Sequence, residues 1–138
     1  MLLLAKLRRG ELLYDLGAGD GRILIEAARG FAARCVGVEI DPERIKRLKE
    51  RLAATKVEAE VVQGDLMNVD LSNADVVTIY LSDSVNSRLA PKLERELRTG
   101  ARVVSLDYVL PGWKHDRELT VTSGAIKRRI YLYRASSR

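Results

Sequence analysis

The amino-acid sequence predicts an α/β domain built on a mostly parallel sheet. Strand-like and helix-like hydrophobic periods alternate along the chain, and short connections join them. Seven segments have the period of strands, and the last two are arranged as a hairpin. The chain has 138 residues, of which 46% are hydrophobic and 31% are charged. This size and composition suit one soluble domain with its own core, so we expect residues 1–138 to form a single domain.

The first part of the chain alternates strand and helix twice. The apolar run at residues 12–16 predicts a strand that ends in a glycine-rich loop, and residues 21–29 place apolar side chains at helical spacing. Residues 36–40 predict a second, buried strand. Asp41 is a favourable N-cap and Pro42 suits the first helical position, so a helix is predicted to run to about residue 54.

The middle of the chain adds three strands. Residues 57–62 alternate as a third strand, and β-branched residues within 74–81 predict a fourth strand at the sheet centre. The connection between them, residues 64–73, is too short for a full crossover helix. Residues 101–106 predict the fifth strand.

The remaining segments are a helix and a terminal hairpin. Residues 84–99 have leucines at helical spacing, with Gly100 as the C-terminal cap, while Pro91 is expected to distort the middle of this helix or reset its start. Residues 118–122 and 126–133 alternate as two strands joined by a short turn. They are therefore predicted to close the sheet as an antiparallel hairpin.

Cysteine and histidine are too scarce for several kinds of chemistry. Cys35 is the single cysteine and His115 the single histidine. This composition excludes an internal disulfide framework and metal sites built from Cys or His clusters, so we expect no metal. Ser-His-Asp and Cys-His arrangements would both require His115, which disfavours hydrolase chemistry.

Charge and hydropathy limit the partners of the chain. The 24 Lys and Arg against 19 Asp and Glu give a net charge of +5, which is too small to establish an acidic partner. The uninterrupted basic run at residues 127–129 is interpreted as the exposed edge of a strand. Aromatic residues are only 5%, which disfavours nucleic acid. The apolar run at residues 1–5 is far shorter than a membrane span, so we expect a cytoplasmic protein without a membrane partner.

The most informative motif is the glycine-rich loop at residues 15–21, Asp-Leu-Gly-Ala-Gly-Asp-Gly, between the first strand and the first helix. Gly17, Gly19 and Gly21 allow a sharp turn and a close approach of the backbone to a ligand. A dinucleotide site would need a glycine where Arg22 stands, and no Lys-Ser/Thr pair completes a phosphate-binding loop. The motif therefore favours a ligand that is not a phosphate.

Three acids lie at the predicted carboxyl ends of neighbouring strands. Asp15 would hold a cationic amino group, Glu39 would accept hydrogen bonds from both hydroxyls of a ribose, and Asp65 would accept from an adenine amino group. Ile40 and Leu66 would pack against the ring faces. Each acid alone is equally well explained as a helix cap, but together they fit a ligand with an amine, a ribose and an adenine.

These residues resemble the class I, seven-strand S-adenosylmethionine-dependent methyltransferases over nearly the whole chain. Residues 76–82, Val-Val-Thr-Ile-Tyr-Leu-Ser, together with 89–97 and 102–113, are similar to the small archaeal protein lysine methyltransferases and their mitochondrial lysine-methylating relatives. The resemblance implies a Rossmann-like sheet of order 3-2-1-4-5-7-6 with strand 7 antiparallel and helices on both faces. It also implies a minimal version with a shortened N-terminus, in which residues 1–9 supply only the end of a preceding helix.

The resemblance implies S-adenosylmethionine as cofactor and S-adenosylhomocysteine as product. Tyr80, at the end of the fourth strand, is expected to be the catalytic residue that orients the acceptor amine. The chain reads Tyr80-Leu81-Ser82 where base and glutamine methylases have Asn/Asp-Pro-Pro-Tyr/Phe, which disfavours their chemistry. The cofactor-binding candidates are Asp15, Gly17, Ala18, Gly19, Gly21, Glu39, Ile40, Asp65, Leu66 and Tyr80.

The implied reaction is methyl transfer to the ε-amino groups of proteins with exposed lysines. Ser82, Asp107 and Trp113 are the candidates for substrate contacts, although Trp113 is equally well explained as an anchor of its loop on the core. The alternatives are methylation of a small molecule or of RNA, and cofactor binding without transfer. We expect a monomer or a weak homo-oligomer.

Overall fold

The computed structural model describes residues 1–136, which form seven strands and three α-helices. In chain order the elements are β1 Leu12–Leu16, α1 Arg22–Phe31, β2 Arg34–Glu39, α2 Pro42–Thr55, β3 Glu60–Gln63, a 3-10 turn at Leu66–Asn68, β4 Val76–Ile79, α3 Asp83–Glu96, β5 Arg102–Leu106, β6 Arg117–Ser123 and β7 Ile126–Arg134. Every predicted strand and helix is present. The connection at 64–73 forms one 3-10 turn, in agreement with its length.

The seven strands form one sheet of order β3-β2-β1-β4-β5-β7-β6. β1 pairs in parallel with β2 on one side and with β4 on the other, whereas β7 lies antiparallel between β5 and β6. The expected strand order and the antiparallel seventh strand are therefore confirmed. Ligands of such open sheets bind outside the carboxyl ends of the strands where the order reverses, which here is between β1 and β4.

Buried apolar side chains cover both faces of this sheet. One face packs against α3 through residues such as Val77, Leu89 and Tyr133, and the other packs against α1 and α2 through residues such as Leu24 and Leu48. Because the central strands are buried on both faces, their sequences are mostly apolar instead of alternating, with single buried polar residues such as Asp15 on β1 and Thr78 on β4.

The first residues of the chain complete the face that carries α1 and α2. Leu2, Ala5 and Leu7 are buried there, whereas Leu3 is exposed. The N–H groups of Lys6 and Leu7 donate to the carbonyl oxygens of Leu3 and Leu2 at 3.1 and 3.3 Å, and Lys6 has a φ of 54°. This pair of hydrogen bonds is the Schellman motif that ends many helices.

The helix α3 differs from its expected bounds. It ends at Glu96 instead of residue 99, because Leu97 is extended with φ −70° and ψ 140°. Gly100, at φ 89°, donates its N–H to the carbonyl of Ala135 at 2.8 Å and so belongs to the turn that leads into β5. Pro91 lies inside α3 on its exposed side without breaking it, since water can reach the carbonyl that loses its N–H partner.

Candidate functional site

The glycine-rich loop bends over the carboxyl end of β2. The N–H groups of Gly17 and Ala18 donate to the carbonyl of Val38 at 2.8 and 3.0 Å. Gly21, the N-cap of α1 at φ 82°, lies so close to α2 that a Cβ there would stand 2.3 Å from Cδ1 of Leu48. Gly21 therefore allows the start of α1 to lie close to α2, and it stands one position before the third glycine of a dinucleotide-binding loop.

Two further loop glycines leave space for a ligand. Gly17 is exposed, has a φ of 77°, and a Cβ at this position would lie 2.9 Å from Cδ2 of Leu81. Gly19 has a φ of 58°, which L side chains rarely adopt. A side chain at Gly17 would fill the cleft between the loop and Leu81 after β4, whereas at Gly19 the positive φ disfavours any side chain.

Glu39 holds the glycine-rich loop against the β2–α2 connection. Its Oε1 accepts from the N–H of Gly19 at 3.0 Å, and its Oε2 accepts from the N–H groups of Ile40 and Asp41 at 3.0 and 3.1 Å. The side chain is only 4% exposed. A buried carboxylate with three backbone donors is well satisfied, so Glu39 has a structural role that the sequence analysis did not anticipate.

Asp15 is a buried carboxyl group at the end of β1. Its Oδ1 accepts from the hydroxyl of Thr78 on β4 at 2.8 Å. Burial raises the pKa of Asp15 to about 7, and the nearby charges of Asp20 and Glu39 raise it further, while the hydrogen bond from Thr78 acts in the opposite direction. A cation placed beside Asp15 would favour its ionised form. Thr78 could have been suspected from the sequence because it is the polar residue of an otherwise apolar strand.

The residues expected around an adenine ring lie along the same edge. Ile40 is 63% exposed and Leu66 is half-buried, so both leave apolar surface accessible at this edge. The Oδ1 atom of Asp65 accepts from the N–H of Met67 at 2.9 Å and caps the 3-10 turn. The structure thus shows the capping role of Asp65 and leaves its adenine contact as a prediction.

Tyr80, at the end of β4, is 52% exposed and is joined to a residue that the sequence analysis did not select. Nη1 of Arg128, on β7, donates to the Tyr80 hydroxyl oxygen at 2.8 Å and to Oδ2 of Asp107 at 2.5 Å. Its guanidinium carbon lies 5.5 Å from the centroid of the Tyr80 ring. Asp107 is thus engaged by an arginine of the chain itself. The signal in the sequence was the uninterrupted basic run at 127–129, interpreted there as a solvated strand edge.

The other two substrate candidates are separated by the fold. Ser82 is the N-cap of α3 and accepts from the N–H of Val85 at 3.3 Å, close to Tyr80 in the chain. Trp113 donates its indole N–H to the carbonyl of Ala90 at 3.3 Å and stacks edge-on against Tyr133 at 6.1 Å. These contacts are those of a loop anchor on the core, the second of the two explanations given above.

Trp113 also lines an open cavity of about 890 Å³ with His115 and Arg134. Arg134 pairs with Arg102, the first residue of β5, so this cavity lies beside the amino end of that strand. Tyr80 follows the carboxyl end of β4. The structure therefore does not bring Trp113 to the edge that carries Tyr80.

The described part of the chain offers neither a metal cluster nor a membrane span. Within 1–136, no group of three or more His, Cys, Asp and Glu side chains is arranged to hold a metal ion. Over the same residues, none of the helices combines the length and the apolar character that crossing a membrane requires.

The strand order, the glycine-rich loop and the acids at successive strand ends define a Rossmann-like methyltransferase domain. The family model of the ANTKMT methyltransferase domain matches residues 15–117, and the chain belongs to this family. It is an S-adenosylmethionine-dependent methyltransferase.

Two curated relatives and one solved structure are similar over most of the chain. A protein-lysine N-methyltransferase of Saccharolobus islandicus (strain REY15A) is 43% identical over 96% of this chain and 84% of the relative. The adenine nucleotide translocase lysine N-methyltransferase of Mus musculus is 35% identical over 83% of this chain, a match that spans 50% of that relative. The structure of an RNA methyltransferase from Salinibacter ruber in complex with S-adenosyl-L-homocysteine has a TM-score of 0.91 and 42% identity, covering 99% of this chain and 88% of the neighbour.

Proposed function

We propose that this enzyme transfers a methyl group from S-adenosylmethionine to the ε-amino groups of lysines in proteins. The observation that carries the proposal is the set of acids along the carboxyl edge of the sheet, where an acid lies within four residues of the end of each of the five parallel strands. The five acids are Asp15, Glu39, Asp65, Asp83 and Asp107. Asp107 is paired with Arg128 and Asp15 has a pKa of about 7, so the negative charge of this edge comes mainly from Glu39, Asp65 and Asp83. This charge favours a sulfonium cofactor and a cationic acceptor over a phosphate. The names of the Saccharolobus and mouse relatives support the same acceptor.

The cofactor fits the residues of this edge. The buried carboxyl of Asp15 would receive the amino group, and Glu39 would receive the ribose hydroxyls. Ile40 and Leu66 offer apolar surface for the adenine, with Asp65 at its amino group. The loop of Gly17, Ala18, Gly19 and Gly21 would enclose the amino acid part, since a Cβ at Gly17 would close the cleft against Leu81. When bound, S-adenosylmethionine supplies an electrophilic methyl group on a sulfonium centre.

The chain's own task in this reaction is alignment. The lysine nitrogen must present its lone pair in line with the methyl carbon and the sulfur, so that the new C–N bond forms as the C–S electron pair leaves to sulfur. The ammonium group of a free lysine has a pKa of about 10.4, so it must lose a proton to solvent before the nitrogen can attack. The methylated ammonium that forms can also lose its proton to solvent. Tyr80 would orient the amine, because its hydroxyl oxygen accepts from Arg128, has a second lone pair for an amine N–H, and belongs to a side chain that is 52% exposed.

The decisive experiment incubates the enzyme with isotope-labelled S-adenosylmethionine and a mixture of basic proteins. We expect labelled methyl groups on lysine ε-nitrogens by tandem mass spectrometry, and a rate that rises between about pH 7 and pH 9 as more free amine becomes available. Label on arginine, or cofactor binding with no transfer, would contradict the proposal.

Replacing Tyr80 tests its role directly. For Tyr80→Phe we expect a fall of at least about tenfold in kcat with an unchanged cofactor Kd, because the hydroxyl orients the acceptor and does not hold the cofactor. Tyr131→Phe is the matched control, since Tyr131 is a buried residue of the hairpin. Equal rates for Tyr80→Phe and the parent would remove the hydroxyl from the mechanism.

RNA is the second candidate acceptor. Arg128 belongs to the basic run at 127–129 and donates a hydrogen bond to the Tyr80 hydroxyl, so positive charge lies beside the proposed acceptor site. The solved structure with 42% identity is that of an RNA methyltransferase. Adding total RNA to the same assay separates the two acceptors: label in RNA, with none in protein, would replace the lysine proposal by this one.

The setting of the enzyme is also proposed. We infer one domain over residues 1–138 that works as a monomer or a weak homo-oligomer in the cytoplasm, as an archaeal-type enzyme without a metal. A single sheet with a core on each face supports the one-domain assignment. Sedimentation analysis and an assay with and without a chelator test the oligomeric state and the metal independence.

A further inference from the structure

We propose that Arg128 is the residue that positions Tyr80 for methyl transfer and that Asp107 anchors Arg128 for this task. The inference rests on the proposed function for the role of Tyr80. Arg128 and Tyr80 are 48 positions apart in the chain. They meet because β7 lies beside β5, which in turn lies next to β4.

Tyr80 needs an external support. About half of its side chain is exposed, so packing restrains the phenol less than it would restrain a buried ring. The hydrogen bond from Nη1 of Arg128 at 2.8 Å, with the guanidinium carbon 5.5 Å from the ring centroid, restrains both the hydroxyl and the ring. A tyrosine restrained at its oxygen presents the remaining lone pair in a defined direction, which an acceptor amine requires.

Asp107 is built to hold the arginine. Its backbone N–H donates to the carbonyl of Arg129 at 2.7 Å, its Oδ1 accepts from the N–H of Arg129 at 3.2 Å, and its Oδ2 accepts from Arg128. Asp107 has a φ of 69°, a conformation that a residue with a side chain adopts at an energetic cost. Such a conformation persists where surrounding contacts determine it, and here three contacts to β7 do so.

The hydrogen bonds also keep Arg128 in its cationic form. Its pKa is raised first by the hydrogen bond to Tyr80 and then by the one to Asp107. Nη1 of Arg128 therefore carries hydrogens to donate at every pH at which the enzyme is assayed.

The experiment compares Arg128→Ala and Arg128→Lys with Lys127→Ala. Lys127 is the adjacent exposed cation of β7, pairs with Thr122, and points to the other face of the hairpin. We expect Arg128→Ala to lower kcat by roughly tenfold or more with cofactor Kd unchanged, Arg128→Lys to recover part of the rate, and Lys127→Ala to equal the parent. An unchanged kcat for Arg128→Ala would overturn the proposal.

A double-mutant cycle identifies the partner. In the Tyr80→Phe background, Arg128→Ala should cause little further loss, because the arginine acts through the hydroxyl that is already absent. A full additional loss would mean that Arg128 acts on the acceptor directly, contrary to the proposal. The cycle measures kcat with whichever acceptor, protein or RNA, takes the label. Label on RNA would overturn the lysine assignment, but the cycle would still decide the role of Arg128.

A measurement without turnover completes the test. In protein labelled with fluorotyrosine, the fluorine resonance of Tyr80, assigned with Tyr80→Phe, should shift in Arg128→Ala and stay in place in Lys127→Ala. A Tyr80 resonance that Arg128→Ala leaves unchanged would overturn the proposal even if every variant were inactive.

Discussion

At the scale of single residues, the unusual group is the buried carboxyl of Asp15. Its pKa in the folded protein, about 7, lies above the ordinary value of 3.8 because burial disfavours the charged form. Between these two values the folded chain holds a proton that the unfolded chain has lost. The contribution of Asp15 to the free energy of unfolding of the cofactor-free protein therefore falls as the pH rises through this window, and it stays low above it.

Cofactor binding should reverse the preference of buried Asp15 for its protonated form. The amino group of the cofactor would favour ionised Asp15, so binding at about pH 6 should release about one proton, whereas binding at about pH 8 should release almost none from this group. Calorimetric titration in two buffers of different ionisation enthalpy counts the protons. Asp15→Asn, which keeps an acceptor for Thr78, should abolish the pH 6 release, and an equal release in this variant would assign the proton to another group.

Glu39 should affect both the loop and the ligand. For Glu39→Ala we expect a loss of about 1–3 kcal/mol in cofactor binding and a lower free energy of unfolding, because the partly buried N–H groups of Gly19 and Ile40 lose their acceptor. Glu60→Ala, at an exposed position of β3, is the matched control and should change neither quantity. Parent-like affinity in Glu39→Ala would show that the ribose assignment is wrong.

At the scale of elements, the start of α1 approaches α2 closely at Gly21. Gly21→Ala should lower the free energy of unfolding by about 1–3 kcal/mol, because the added methyl would stand 2.3 Å from Leu48 and the residue has a φ of 82°. Gly124→Ala, at φ 62° with no atom within 4 Å of the added Cβ, measures the backbone cost alone and should lose less. Chemical denaturation of the two variants separates the cost of the contact with Leu48 from the cost of the positive φ. Equal losses would show that the contact with Leu48 relaxes without cost.

At the scale of the whole molecule, the first residues are part of the core. Leu2 is fully buried against the face that carries α1 and α2, whereas its neighbour Leu3 is 81% exposed. Leu2→Ala should therefore lower the free energy of unfolding by about 2–5 kcal/mol, and Leu3→Ala should change it by less than about 0.5 kcal/mol. Thermal and denaturant unfolding would measure the free energies of unfolding of the two variants. Equal small effects would show that this turn does not contribute to the core.

Local patterns in the sequence were sufficient to predict the order of the helices and strands and the acids near the strand ends. The Asp41-Pro42 pair begins α2 and the Asp41 side chain accepts from the N–H of Glu43, as N-cap chemistry predicts. Hydrophobic periodicity also predicted the alternation of strands and helices, because this periodicity is a property of residues that are neighbours in the chain. The strand order came from the resemblance to a family, since pairing between distant strands leaves no local signal.

Tertiary structure alone decided which side chains meet. Arg128 reaches Tyr80 and Asp107 because β7 pairs antiparallel with β5, and no pattern near residue 128 contains that pairing. Packing likewise placed Trp113 on the core and ended α3 three residues early, where the chain must turn into β5. The sequence by itself determined the local elements and the acids at their ends, whereas contacts across the sheet decided how those acids and Tyr80 are held, because such contacts depend on register between strands far apart in the chain.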